Sequence, residues 1–89
     1  VNTFFLLMAQ YNAAMIPIDK VVQDYFPHLS TDKFIRKVGL GEINIPMIRI
    51  EAGTQKSAKG IHINDLATYL DERRAAAVKE AKQLAGNTA

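Results

Sequence analysis

The chain contains no cysteine. That absence excludes disulfide scaffolds, thiolate nucleophiles and cysteine-bearing zinc sites, and it is compatible with a reducing cytoplasm. Long apolar runs are missing as well. The run from Phe4 to Ala9 is too short to span a bilayer, and it has neither the basic flank nor the cleavage pattern of a leader. No membrane association is therefore expected. The two histidines, His28 and His62, have no carboxylate at metal-ligand spacing. No serine, histidine and aspartate grouping stands out, no glycine-rich phosphate loop occurs, and no pair of carboxylates suggests a cleft. The expectation is a non-enzymatic protein with no cofactor and no metal. Internal repeats and low-complexity tracts are also absent.

What remains is small and locally basic. Eighty-nine residues, 48% hydrophobic and 22% charged, fit one globular domain over residues 1–89 with a single core. The net charge of +2 is unevenly placed. Residues 31–63 carry six basic side chains (Lys33, Arg36, Lys37, Arg49, Lys56, Lys59) against three acidic ones (Asp32, Glu42, Glu51), a local net of +3. Residues 1–30 give −1 and residues 64–89 give 0. An excess confined to one segment is the pattern of an electrostatic footprint.

The apolar periodicity predicts the elements. Thr3 to Tyr11 lacks polar alternation and reads as a buried strand, although a short helix fits nearly as well. After Pro17, the residues Ile18, Val21, Val22, Tyr25 and Phe26 form an apolar stripe along two helical turns, which Pro27 stops. Ser30 is a good cap for a second helix, on which Phe34, Ile35 and Val38 oppose Lys33, Arg36 and Lys37. Two helices joined this tightly make a helix-turn-helix candidate. Gly39 and Gly41 can end the second helix. Ile43 to Ile50 reads as a strand, residues 51–60 as a polar hairpin loop, and Ile61 to Ile63 as the returning strand. Asn64 is the expected cap of a final helix, with Asp65 near the positive end of its dipole. Leu66, Leu70, Ala77, Ala81 and Leu84 line one stripe of that helix, interrupted by Arg73, and its last three turns are expected to extend past the core. The stripe can serve either its own domain or a second copy of the chain. The fold class that results is α+β: strand, helix, turn, helix, β-hairpin wing and C-terminal helix, a small winged helix-turn-helix.

Two groups of residues carry the functional expectation. On the second helix, Lys33, Arg36 and Lys37, with Ser30 and Thr31 at its start, suit the major groove of DNA, where arginine pairs with guanine and lysine anchors phosphate. Three basic residues on a helix are also common on an ordinary solvated face. The turn before the helix and the hairpin after it favour the DNA reading. In the loop, Gln55, Lys56, Ser57 and Lys59 can reach a neighbouring backbone or minor groove, against the plainer alternative of a flexible hairpin tip.

The order of elements, with the step Gly41-Glu42-Ile43 into Pro46 and the stretch Ile61 to Leu70, resembles the winged helix-turn-helix of phage excisionases and MerR-type regulators. The stretches Phe5-Leu6-Leu7-Met8-Ala9-Gln10-Tyr11, Gln23-Asp24-Tyr25-Phe26, Gln55-Lys56-Ser57-Ala58-Lys59-Gly60 and Asp71-Glu72-Arg73-Arg74-Ala75-Ala76 are more specific. Through them the chain, nearly end to end, resembles the pyocin activator family of bacterial transcription activators. The resemblance implies a cytoplasmic activator that binds a double-stranded promoter element upstream of bacteriocin or phage-tail-like genes and turns them on after DNA damage. A chain this small has little surface for both DNA and RNA polymerase, so action as a homo-oligomer on repeated sites is expected. Two rivals are an excisionase-like architectural protein that bends DNA, and an antirepressor-type interaction module that turns the basic face toward an acidic partner.

Overall fold

The computed structural model describes residues 2–53 and 58–87. Its elements run α1 (Thr3–Tyr11), β1 (Met15–Pro17), α2 (Ile18–Tyr25), α3 (Thr31–Gly39), β2 (Ile48–Arg49), β3 (Lys59–His62) and α4 (Ile63–Asn87), an α+β arrangement around one antiparallel sheet of order β1-β3-β2.

The first element corrects the sequence reading, because Thr3 to Tyr11 is a helix rather than a strand. Its ends explain the choice. The Asn2 side chain accepts from the Phe5 N–H at 2.9 Å, and Asn12 adopts the left-handed conformation (φ 49°) that closes a helix. Leu7 is buried, with Phe4 and Tyr11 packed against the core at helical spacing, while Phe5, Leu6 and Met8 face outward. Apolar residues on both faces hide the period from which a helix is recognised. The strand that the N-terminal region does contribute is β1, three residues later. Met15, Ile16 and Pro17 pair with His62, Ile61 and Gly60. Proline is tolerated there because β1 is an edge strand, where a missing N–H need not break a ladder.

Helices α2 and α3 are joined by residues 26–30 and pack through Phe26 and Phe34, whose ring centroids lie 4.9 Å apart at 55°. Phe34 is wholly buried. Gly41 ends α3 in a Schellman arrangement: with φ at 77°, its N–H reaches the Val38 carbonyl at 3.1 Å, and the Glu42 N–H reaches the Lys37 carbonyl at 2.9 Å. Gly39 stays helical.

Beyond α3 the expected strand from Ile43 to Ile50 shrinks to β2, Ile48–Arg49. Ile43 and Ile45 are buried on alternate positions, yet they anchor a segment outside any ladder, turned at Asn44 where the Ile45 N–H reaches the Ile43 carbonyl at 3.0 Å, with Pro46 removing a donor. β2 pairs with β3 as a hairpin, Ile48 opposite Gly60 and Arg49 opposite Lys59. Lys59 and Gly60 are therefore strand residues and not part of the connecting loop.

The last helix begins one residue before its expected cap. His62 Nδ1 accepts the Asn64 N–H at 3.0 Å, doing for α4 what the Asn64 side chain was expected to do. Ile63, Leu66 and Ala67 enter the core and Tyr69 and Leu70 pack at its edge, whereas residues 71–86 are all exposed. Helix α1 runs beside the start of α4, tied by the Thr3 hydroxyl donating to Asp71 Oδ1 at 2.6 Å. No helix among the described residues is long and apolar enough to cross a membrane.

Candidate nucleic-acid interface

Helix α3 sorts its side chains by chemistry. Phe34 lies at the bottom of the core with Ile35 and Val38 half-buried around it, so the opposite face must point to solvent. Lys33 and Arg36 are exposed there and Lys37 is partly so. Ser30 opens the helix as anticipated, its Oγ accepting the Lys33 N–H at 3.2 Å and its carbonyl accepting the Phe34 N–H at 2.9 Å. Thr31 follows, half-buried in the first turn. Together these five residues occupy the start and outer face of one helix.

At the far end of that face the Schellman turn folds Glu42 back toward the lysine. Lys37 Nζ and Glu42 Oε1 lie 4.0 Å apart, with side chains 41% and 55% exposed, so the pair contributes no more than about 1 kcal/mol. The shallow hollow between Lys33, Arg36, Lys37, Leu40 and Glu42 is thus cationic over two turns and bounded by a carboxylate. Leu40, 65% exposed, adds an apolar rim.

The second group is divided. Gln55, Lys56 and Ser57 lie outside the described residues. Lys59 opens β3, half-buried and directly opposite Arg49. The register therefore sets two cationic residues on one face of the hairpin. Arg49, exposed on β2, belongs to the basic segment and joins the candidate site only through the fold. Its position opposite Lys59 depends on the register, which the sequence pattern did not fix. The helix face and the hairpin share a support, since α2 packs against both α3 and β3.

Elsewhere three titratable groups have structural partners. His62 caps α4 and His28 stacks obliquely on Phe26. The Tyr11 hydroxyl donates to Asp24 Oδ2 at 2.5 Å; burial first, and that bond second, push its pKa above the ordinary phenol value. Among the described residues no three acidic or histidine side chains gather as metal ligands.

A tight helix pair, a cationic second helix and a following hairpin define a small α+β domain of helix-turn-helix-like form. The family model for pyocin activator protein PrtN matches residues 3–77, from α1 into the exposed half of α4, and the chain belongs to that family. Membership supports a transcription activator of pyocin genes. No curated protein and no solved structure matches the chain.

Proposed function

We propose that this protein activates pyocin genes by binding promoter DNA sequence-specifically, with α3 in the major groove and the β2–β3 hairpin on the neighbouring backbone or minor groove. The observation that carries the reading is the outer face of α3. Its buried side is fixed by Phe34, so Lys33, Arg36 and Lys37 are held outward on a rigid element that is amphipathic by charge. Arginine in that position offers a bidentate fork to guanine, while the flanking lysines neutralise phosphates. The Arg49–Lys59 register supports the wing, because it presents two basic residues on one face of the hairpin. Ser30, Thr31, Gln55, Lys56 and Ser57 belong to the same proposed surface, and RNA polymerase is the proposed second partner.

The test is a set of mobility shifts on promoter and scrambled duplexes. Arg36→Ala should weaken promoter binding by about 1 to 3 kcal/mol and relax preference at one base position. Lys33→Ala and Lys37→Ala should weaken both duplexes alike. For Lys56→Ala combined with Lys59→Ala, each lost phosphate contact should flatten the slope of log affinity against log salt by about 0.9. If neither duplex binds at low salt, the DNA reading is wrong and the basic face serves an acidic protein.

A further inference from the structure

We infer that the exposed half of α4 is a dimerisation arm that pairs antiparallel with the same arm of a second copy, about a two-fold axis close to Ala77. The shape comes first. A compact chain of this length has a radius of gyration of about 12 Å, whereas this one has 15.4 Å and extends 55 Å along its longest axis. Residues 71–86 stand exposed in continuous helix, an arm about 24 Å long at 1.5 Å per residue. Most helical stability in proteins comes from packing an amphipathic face, and this half of α4 buries no residue against the described residues of its own chain.

The arm carries a face for a packing partner. At about 100° per residue, Leu70 and Leu84 fall within about 20° of Ala77, and Ala81 lies about 40° to one side. Leu84 is 60% exposed. On the other flank sit Arg73, at about 40°, and Glu80, at about 60°. Neither has an opposite charge three or four residues away on its own helix: Arg73 meets Tyr69, Leu70, Ala76 and Ala77, and Glu80 meets Ala76, Ala77, Gln83 and Leu84.

A two-fold axis at Ala77 completes both features. It sets Leu70 level with the partner's Leu84 and brings Arg73 to within one residue of the partner's Glu80 on the same flank, twice by symmetry. A parallel pair would instead place Arg73 across from the partner's Arg74. The charge pattern therefore selects one orientation. Residues 71–86 hold four basic and three acidic side chains, a balance unsuited to a nucleic-acid contact and suited to self-recognition. A strip about 24 Å long on a helix about 10 Å across offers roughly 240 Å², small beside the roughly 800 Å² per partner of a stable interface. The partner's Leu84 also comes level with the first turn of α1, where Phe5 and Leu6 are 58% and 59% exposed and can enlarge the patch.

Sedimentation equilibrium of the full chain, without DNA, tests this independently of the DNA reading. The wild type should be dimeric at about 100 μM. Arg73→Glu or Glu80→Arg alone should raise the dimer dissociation constant about tenfold or more, and the two together should restore it, because the pairs are merely exchanged. Since the chain has no other thiol, Ala77→Cys should oxidise to a covalent dimer. Leu84→Cys should not, its two copies lying about 21 Å apart along the helices by the same rise per residue. A monomeric wild type, a double reversal that fails to restore association, or equal cross-linking at both positions would overturn the proposal.

Discussion

Replacing Phe34 by alanine tests the whole orientation of α3, because the outward face is defined by what the inward face buries. Phe34 is fully buried, its ring 4.9 Å from that of Phe26, which in turn lies 5.9 Å from Tyr69 of α4. Truncating a buried phenylalanine costs about 3 to 5 kcal/mol, through lost transfer energy and the cavity left behind. A domain of this size holds roughly 4 to 13 kcal/mol in all, at about 0.05 to 0.15 kcal/mol per residue. The variant should therefore lose a large share of its stability. At about 4 to 8 °C per kcal/mol, its midpoint should fall by roughly 12 to 40 °C in a thermal melt followed by circular dichroism. Phe34→Leu keeps much of the apolar volume and should fall less, which leaves a folded state to measure if the alanine variant has none. A cycle with Phe26→Leu should expose a coupling of about 0.5 to 1.5 kcal/mol from the ring pair. A melt of Phe34→Ala with an unaltered midpoint would refute the packing, and with it the assignment of Lys33, Arg36 and Lys37 to solvent.

Three further outcomes follow from the same structure. Ser30→Ala removes the acceptor for the Lys33 N–H and should cost about 0.5 to 2 kcal/mol in denaturant unfolding, whereas Ser30→Asp should retain most of the cap. Gly60→Ala would put a Cβ 2.7 Å from Met15 Cγ and 2.8 Å from the Ile16 carbonyl oxygen, so β1 must move away from β3; a loss of about 1 to 3 kcal/mol is expected, and an unchanged midpoint would mean that β1 is not held there. Tyr11, whose folded pKa is raised, contributes stability that is fully present below the unfolded phenol value near 10 and is lost as pH climbs through its higher folded value. Alkaline difference absorbance should show a late-ionising component that Tyr11→Phe removes.

How legible the fold was depended on whether a segment's periodicity had one cause. In α2 and α3 the buried stripe and the exposed charges coincide, so Val22, Phe26, Phe34 and Val38 could be placed from spacing alone. In α1 they do not. Phe5, Leu6 and Met8 put apolar surface outward, erasing the period, and the decisive signals were the two asparagines at its ends. Residues 43–47 failed in the opposite way, since alternate burial of Ile43 and Ile45 mimics a strand without a ladder. β1 is too short for any period to show. For the site, the α3 residues were visible because they share one helix. Arg49 was not, since its relation to Lys59 exists only across the hairpin. The His62 cap was hidden behind a more conventional candidate two residues away, Asn64.

The sheet's two free margins have a consequence for how this chain behaves when many copies are crowded together. Open strand edges invite further strands, and a three-stranded sheet has two of them. Here one margin is β1, three residues long and ending in Pro17, which has no N–H to offer an incoming chain. The other is β2, two residues long, entered from Pro46 and carrying the charge of Arg49. Brevity, proline and charge are the devices that keep edges from polymerising. Disordered growth by strand addition is thereby discouraged at both margins, which leaves ordered association to surfaces made of side chains rather than backbone.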